Sequence, residues 1–475
     1  MAKSSQIGRK IDWWIILIYI LLVTFGFMNL YSSDYNVAGD NISFFQNTYG
    51  RQLLWIIVGL VLAIGILLID AVVYSMFAYF VYVAVISILF FVFVFGVATH
   101  GARSWFEIGN IKIQPSEFAK FATALALARF ISINGFDFSF KNFLNVAITF
   151  VIIFLPVVLI ILQPDVGSAM VYAAFILVLY REGLPGVWLL LIFIVALVFF
   201  LVLILHQMLL LLALITIAIF FMFIVLSYKK HIFRIILSLL VFFSLVYFLN
   251  LLLSVNLSLL LVVLVSMLIW LIYILIYYII YSEKGVLMIV FFLLVSVFVQ
   301  FSTQFAFNKV LKQHQRNRIE VLFDNSIDPQ GIGYNLRQSK IAIGSGGFWG
   351  KGFLKGTQTK LDFVPEHNTD FIFCTVAEEW GFAGIIFLFV MYAILIIRIV
   401  YKSEQQVSDF SRIYGYSLAS ILFLHFFVNI GMTIGMLPVI GIPLPFFSYG
   451  GSAMLSFTIL LFIFVKLDYE KELKF

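Results

Sequence analysis

The sequence predicts an all-α, polytopic membrane protein. Of its 475 residues, 64% are hydrophobic and 11% charged, and the mean hydropathy is +1.13. A soluble domain keeps about a quarter of its residues charged. So few charges could not solvate a globule of this size, which excludes the soluble classes. The apolar residues also fall in long runs, and a membrane-spanning helix needs roughly 20 of them. Fourteen segments qualify, near 13–30, 52–70, 73–96, 116–133, 143–162, 166–181, 186–205, 208–227, 232–253, 257–281, 284–304, 371–400, 411–434 and 448–467. Finally, the short basic connections all fall on one side of such a path.

The basic stretch Lys3–Lys10 runs into the first segment without a small-residue cleavage site, so it reads as a first spanning helix and not as a cleaved signal. Segment 116–133 is less apolar than the rest, and 166–181 is short. Short loops rich in Lys and Arg favour the cytoplasm. Lys3, Arg9 and Lys10 precede the first helix, and Arg129 and Lys141 flank one connection. Arg181, then Lys229, Lys230 and Arg234, then Arg398, Lys402 and Arg412 mark three more. With fourteen helices these all share the side of the N-terminus, and both termini are cytoplasmic. The connections 97–115, 305–370 and 435–447 then lie outside. Four regions follow: 1–185 with its outer loop, an apolar block 186–304, a long external loop 305–370, and the helices of 371–475. The block 186–304 is nearly free of charge and reads as packing or lipid-facing bulk. The 56 Phe suit lipid, and the single cysteine, Cys374, can form no intrachain disulfide.

The outer loop is basic. It carries Lys309, Lys312, Arg316, Arg318, Arg337, Lys340, Lys351, Lys355 and Lys360 against Glu320, Asp324, Asp328, Asp362, Glu366 and Asp370. Such a loop suits an anionic partner such as phosphate, although a merely solvated loop would look the same. Gly344, Gly346, Gly347, Gly350, Gly352 and Gly356 crowd together in it. The run Ser345–Gly347 could cradle a phosphate or serve as a flexible connector. Glu117 and Lys120, spaced i, i+3, lie on one helix face and could pair. Asp165 and Asp370 open helices, where either could be an N-cap. Glu378 and Glu379 lie deeper in their segment, and carboxylates inside a spanning helix cost about 2.5–3.5 kcal/mol unless they find a partner. The histidines, His100, His206, His231, His314, His367 and His425, form no metal-ligand pair at helical spacing. No Gly-x-Ser-x-Gly elbow or Ser-x-x-Lys pair points to a covalent acyl-enzyme.

Several runs then form a recognisable series. Gly101-Ala-Arg-Ser-Trp105 is followed by Gln114-Pro-Ser-Glu117-Phe-Ala-Lys120 and by Gln163-Pro-Asp165-Val-Gly167. Next come His314-Gln-Arg316-Asn-Arg318-Ile319, Asp328-Pro-Gln-Gly331-Ile-Gly333-Tyr334 and Gln338-Ser-Lys340 through Gly347. Thr369-Asp370-Phe-Ile-Phe with Glu378-Glu379, and Pro443-Leu-Pro445 through Ser452, complete it. In this order the chain resembles the SEDS family (shape, elongation, division and sporulation) along nearly its whole length, the block 186–304 excepted. Gly356-Thr357-Gln358 and Pro443-Leu-Pro445 with Gly451-Ser452-Ala453 are more similar to the elongation branch than to the division branch. The chain departs from the pattern in two ways. Asn368 stands where the family carries His, with His367 adjacent as a conceivable substitute. Four helices are also added to the family's ten, and because four is even the outer loop stays outside.

The resemblance implies a peptidoglycan glycosyltransferase that polymerises lipid II, inverting an α-linked lipid pyrophosphate into a β-1,4 glycan for cell elongation and rod shape. Its implied partners are a class B penicillin-binding protein (a PBP2-type transpeptidase), the elongation machinery and membrane lipids, with no nucleic acid. Asp370 is the implied catalytic base for the acceptor hydroxyl. Trp105, Gln114, Glu117, Lys120, Asp165, Arg316, Arg318, Lys340, Gln358 and Glu366 are implied to bind substrate. Among them Arg316, Arg318, Lys340 and Lys120 are candidates for the pyrophosphate; Trp105 would also suit an interfacial belt. A divalent cation, Mg2+ or Mn2+, could bridge Asp370 and the pyrophosphate, though no sequence pattern demands one. The rivals are a flippase for the lipid-linked precursor and a non-catalytic scaffold for the penicillin-binding protein. Transport would need charges lining the bilayer midplane, whereas most of these gather near the outer face.

Overall fold

The computed structural model describes residues 11–35, 47–99, 102–109, 111–136, 142–204, 207–225, 229–253, 258–281, 284–311, 313–322, 331–361 and 363–470. Expectations placed on Lys3, Arg9, Lys10, Gly101, Lys141, Lys312, Asp324, Asp328 and Asp362 lie outside them. The chain forms two compact units, one from Met1–Pro185 with Asn317–Phe475 and the other Gly186–Arg316.

The first unit opens with α1 (Trp13–Asp34), whose N-cap Asp12 accepts from Trp14 N at 3.1 Å. Then come α2 (Thr48–Leu68), α3 (Ala71–Met76) and α4 (Ala78–Phe95). The segment expected as one helix over 73–96 is thus broken at Phe77. The connection expected as a loop over 97–115 is a small antiparallel sheet: β1 (Val97–Thr99), β2 (Ala102–Ile108) and β3 (Ile111–Ile113) in the order β1-β2-β3. Next are α5 (Pro115–Asn134), α6 (Phe143–Leu162), α7 (Val166–Met170), a 3-10 turn and α8 (Ala174–Arg181). Proline at the start of α5 is harmless, because the first turn has no acceptor for its missing N–H.

The second unit holds α9 (Gly186–Ile204), α10 (Gln207–Val225), α11 (Lys229–Leu252), α12 (Leu259–Tyr281) and α13 (Lys284–Phe305). It has its own apolar core around Leu211, Met267, Trp270, Ile274 and Leu293. A π turn, Ala306–Val310, leads to α14 (Gln313–Glu320), which crosses the division between units. The first unit closes with α15 (Ile332–Ser345), α16 (Ile372–Glu404), α17 (Asp409–Thr433) and α18 (Gly451–Tyr469). The stretch expected as an external loop, 305–370, therefore contains two helices and a π turn.

All fourteen expected segments are helical. Among the described residues, ten helices are long and apolar enough to cross a membrane, and three shorter apolar ones lie at 166–181, 186–199 and 209–220. The remaining segment, α5, is buried along most of its length. It faces protein, so its composition can be less apolar than that of α2, α4 or α6, which expose Val61, Phe80 and Leu144.

One end of the first unit gathers ion pairs. Arg398 reaches Asp12 at 2.9 Å, and Lys402 bridges Asp12 (3.4 Å) and Asp468 (3.3 Å). Arg412 meets Glu182 at 2.9 Å and Arg181 meets Glu404 at 2.9 Å. Burial pushes the Asp12 carboxyl up, but Arg398 and Lys402 outweigh it and hold the group below its ordinary range. These residues sit at the start of α1 and α17 and the end of α8, α16 and α18. The sheet and Asp370 adjoin the opposite helix ends.

Helix α16 is not continuous. Gly381 has φ 61° and ψ −159°, which separates an outer half-helix, 372–380, from residues 382–404. At about 1.5 Å per residue the second half alone spans roughly 34 Å, enough for a hydrocarbon core of about 30 Å.

Candidate active site

Three helix starts and one turn build the site. Gln114 precedes α5, and its side chain donates to Asp165 Oδ2 at 2.9 Å. Its main-chain N donates to Ser452 Oγ, at the start of α18, at 3.0 Å. Asp165 is the N-cap of α7 and accepts from Ser168 N (3.0 Å) and Ser168 Oγ (2.8 Å). The capping expected of Asp165 is therefore present, and Gln114 ties that cap to α5.

Below this cap, Glu117 and Lys120 form the expected pair at 2.7 Å. Lys120 is 1% exposed, and its ammonium also lies 2.9 Å from His425 Nε2 and 4.7 Å above the Phe457 ring. His425 Nδ1 lies 3.1 Å from the carbonyl of Pro443. A carbonyl can only accept, so Nδ1 carries the hydrogen and Nε2 is left to accept from Lys120. Lys120 was expected to reach pyrophosphate; it is instead enclosed, holding Glu117 and His425.

Asp370 ends the turn before α16. The helix N-cap is Phe371, with no side-chain cap, so Asp370 is not the capping residue. Its main-chain carbonyl accepts from Asn429 at 2.9 Å. A Cβ at Gly441 would stand 3.2 Å from Asp370 Oδ2, which places the carboxylate against the 435–447 connection. Among the described residues that carboxylate accepts no hydrogen bond. Asp370 keeps a partly accessible surface, yet its carboxyl is crowded by protein. Burial raises it to about 7; Glu366 and Asp165 push the same way, and Arg318 opposes them. Arg318 Nε is buried without a hydrogen-bond partner among the described residues.

The other expected residues are placed as follows. Glu366 is exposed, has φ 54°, and accepts from Thr369 Oγ1 at 3.1 Å. Lys340, on α15, is exposed; a Cβ at Gly435 would come 2.7 Å from its Nζ. Trp105 lies on β2 opposite Val97 and is partly exposed. Gln358 is partly exposed, with its main-chain N bound to Glu378 Oε1 at 2.9 Å. Arg316 belongs to the second unit, where it donates to the carbonyls of Leu311 and Asn308. Asn368 accepts from Ser33 Oγ at 2.5 Å, and adjacent His367 is buried with Nδ1 2.8 Å from Val364 O. His367 thus packs inward.

The glycine-rich stretch is not shaped as a phosphate cradle. A Cβ at Gly346 or Gly350 would collide with the main-chain carbonyl of Ala377 or Glu379. These glycines instead let the chain dock into the break of α16. There Lys351 N and Gly352 N donate to the carbonyls of Glu378 and Glu379 at 3.0 and 2.9 Å. Phe382 N and Ala383 N donate to those of Gly347 and Phe348, each at 3.0 Å. Groups freed by the break are thereby satisfied, as a low-dielectric setting requires. His425, Asn429 and Ser452 were not expected in the site; the first two are polar residues i, i+4 inside an apolar helix, which is a signal of function.

The cell cycle protein family model for FtsW, RodA and SpoVE matches residues 12–223 and 217–473. The chain belongs to this family, the SEDS proteins. It is 31% identical to the peptidoglycan glycosyltransferase MrdB of Escherichia coli (strain K12) over 446 residues, covering 94% of this chain and 90% of that one. To the peptidoglycan glycosyltransferase RodA of Treponema pallidum (strain Nichols) it is 32% identical over 453 residues, covering 93% and 94%. Among solved structures it resembles a chain of a peptidoglycan synthase complex with TM-score 0.62 at 22% identity, covering 97% and 98%. The rod shape determining protein RodA of Thermus thermophilus aligns with TM-score 0.55 at 21% identity, covering 98% of each chain. These likenesses place the SEDS fold on the polytopic helical architecture described above.

Proposed function

We propose that this SEDS protein is a peptidoglycan glycosyltransferase that polymerises lipid II into β-1,4 glycan strands, releasing undecaprenyl pyrophosphate, in cell elongation. The observation that carries the chemical reading is the carboxylate of Asp370, which accepts no hydrogen bond among the described residues and is raised to about 7 by burial, with Arg318 opposing. A base works best when its pKa lies near the working pH. Asp370 takes the proton from the acceptor sugar hydroxyl as that oxygen attacks the anomeric carbon from the face opposite the leaving pyrophosphate. Attack and departure on opposite faces invert the α linkage to β. Arg318, with a donor not otherwise used among the described residues, and exposed Lys340 stabilise the negative charge on the departing pyrophosphate. Gln114 and the Glu117–Lys120–His425 set hold the helix starts around them.

Among the described residues no three His, Cys, Asp or Glu side chains form a ready-made metal set. Mg2+ is usually bound through one or two carboxylates, with substrate phosphate and water supplying the other oxygens. Asp370 and Glu366 fit that role for Mg2+ or Mn2+, and the ion would neutralise pyrophosphate charge.

In the same reading the chain lies in the bacterial cytoplasmic membrane with both termini inside. Support comes from the collection of Arg398, Lys402, Arg412 and Arg181 at one end of the helices, where a positive-inside protein keeps its cations. Asp370 then faces outward. A class B penicillin-binding protein is its cross-linking partner, in keeping with the synthase complex whose chain it resembles.

The test is to incubate purified protein with lipid II in detergent. Glycan polymer is the expected product; a flippase or a scaffold would leave lipid II unpolymerised.

A further inference from the structure

Two buried carboxylates remain outside the mechanism. Glu378 is 0% exposed and accepts six hydrogen bonds. Its Oε1 receives Lys351 Nζ at 2.6 Å, Thr357 N at 2.7 Å, Gln358 N at 2.9 Å and Thr357 Oγ1 at 3.1 Å. Its Oε2 receives Thr359 N at 3.1 Å and Thr359 Oγ1 at 3.0 Å. Glu379 accepts from Ser32 Oγ and, at 3.3 Å, from Gly356 N. A Cβ at Gly356 would stand 3.1 Å from Glu379 Oε1 and 3.2 Å from Glu378 Oε2, so the strap 356–359 lies against both carboxylates.

The strap continues into the turn that ends at Asp370. Phe363 N donates to Gln358 O at 3.1 Å, and Val364 packs into a small core with Phe371 and Cys374. Thr369 N and Phe371 N then both donate to Glu366 O, at 3.1 and 3.2 Å. The outer half-helix 372–380 thus has Asp370 just before its start and Glu378 near its end. Because Gly381 breaks α16, a rigid continuation cannot hold that half-helix; the strap and the 347–352 segment do.

We infer that Glu378 is a positioning residue for the reaction, clamping the 356–359 strap to the outer half-helix and so fixing how that half-helix presents Asp370. This rests on the reading of Asp370 as the base. A carboxylate is required because every one of its partners is a donor. Glutamine would turn an N–H2 toward either the Thr357–Gln358 pair or Thr359.

The experiment measures kcat per folded molecule and KM for lipid II polymerisation by the full-length protein in detergent. It compares Glu378→Gln, Thr359→Val, Thr359→Ser and Asp370→Asn. A misplacement near 1 Å costs on the order of 10²-fold in rate, so kcat of Glu378→Gln should fall by about that factor with KM little changed. Thr359→Val should follow Glu378→Gln, and Thr359→Ser, which keeps the hydroxyl, should restore the wild-type kcat. Undiminished kcat in Glu378→Gln overturns the inference. So does a fall in kcat matched by an equal loss of folded protein, or a Thr359→Ser kcat matching that of Thr359→Val. An active Asp370→Asn instead removes the base reading itself. Inactive Asp370→Asn beside normal Glu378→Gln removes this inference alone.

Discussion

The carboxamide of Asn429 donates at 2.9 Å to the main-chain carbonyl of Asp370, and at 2.7 Å to that of Ile442. One buried side chain on α17 thus holds the turn that carries Asp370 and the 435–447 connection together. Asn429→Leu leaves both carbonyls without this donor, and an unsatisfied buried group costs about 1–3 kcal/mol. Lower thermal stability in detergent and a loss of polymerisation exceeding the loss of folded protein are expected, measured by melting and by turnover per folded molecule.

Asp370→Asn should lower polymerisation by about 10²–10⁴-fold, the usual loss on removing a general base. The same variant tests the raised pKa. A carboxyl raised from 3.8 to about 7 in the folded protein contributes stability that is fully present below 3.8 and lost as pH rises through about 7. Asparagine is neutral throughout. The variant should therefore melt like wild type near pH 4 and above wild type at pH 8, and equal melting at both would contradict the shift.

Glu117→Gln alone strands the Lys120 ammonium in a site 1% exposed. Removing one member of a buried pair costs about 3–5 kcal/mol, whereas replacing both can be nearly neutral. Glu117→Gln combined with Lys120→Met should therefore be more stable than Glu117→Gln, as a double-mutant cycle on melting temperature would show. Activity should stay low in both.

Sidedness is open to labelling, because the native cysteine is buried. Lys355→Cys and Arg337→Cys sit at exposed positions near Asp370's end, and Val407→Cys at an exposed position between α16 and α17. An impermeant thiol reagent should label the first two in spheroplasts and spare the third. The reverse pattern would invert the topology.

Much of this architecture was legible because lipid imposes one simple demand, a long apolar run, and among the described residues ten helices answer it in full, with three shorter apolar ones. The Glu117–Lys120 pair was legible from its spacing, and the family motif singles out Asp370 as the proposed base. Strand β2 was not, since Arg103, Trp105 and Glu107 alternate over too short a run to outweigh a loop. The break in α16 was hidden for a different reason. Gly381 sits in an apolar helix like any tolerated glycine, and the residues that satisfy the freed groups, 347–352, are distant in sequence. Asn368 was visible as a departure, but its link to Ser33 on α1 depends on tertiary contact. His425 and Asn429 show only as polar residues within an apolar helix, and only folding reveals what they hold.

The break at Gly381 also bears on how the chain can be divided. An ordinary spanning helix closes its backbone bonds within itself and can be made as a separate piece. Here Phe382 N, Ala383 N and the carbonyls of Glu378 and Glu379 find their partners in 347–352. A two-fragment version cut near 361 would start its second piece with those groups facing membrane or interface unmet, each costing several kcal/mol. The two pieces could regain a native α16 only by reassociating, so a split reporter or a circular permutant should place its break outside 347–383.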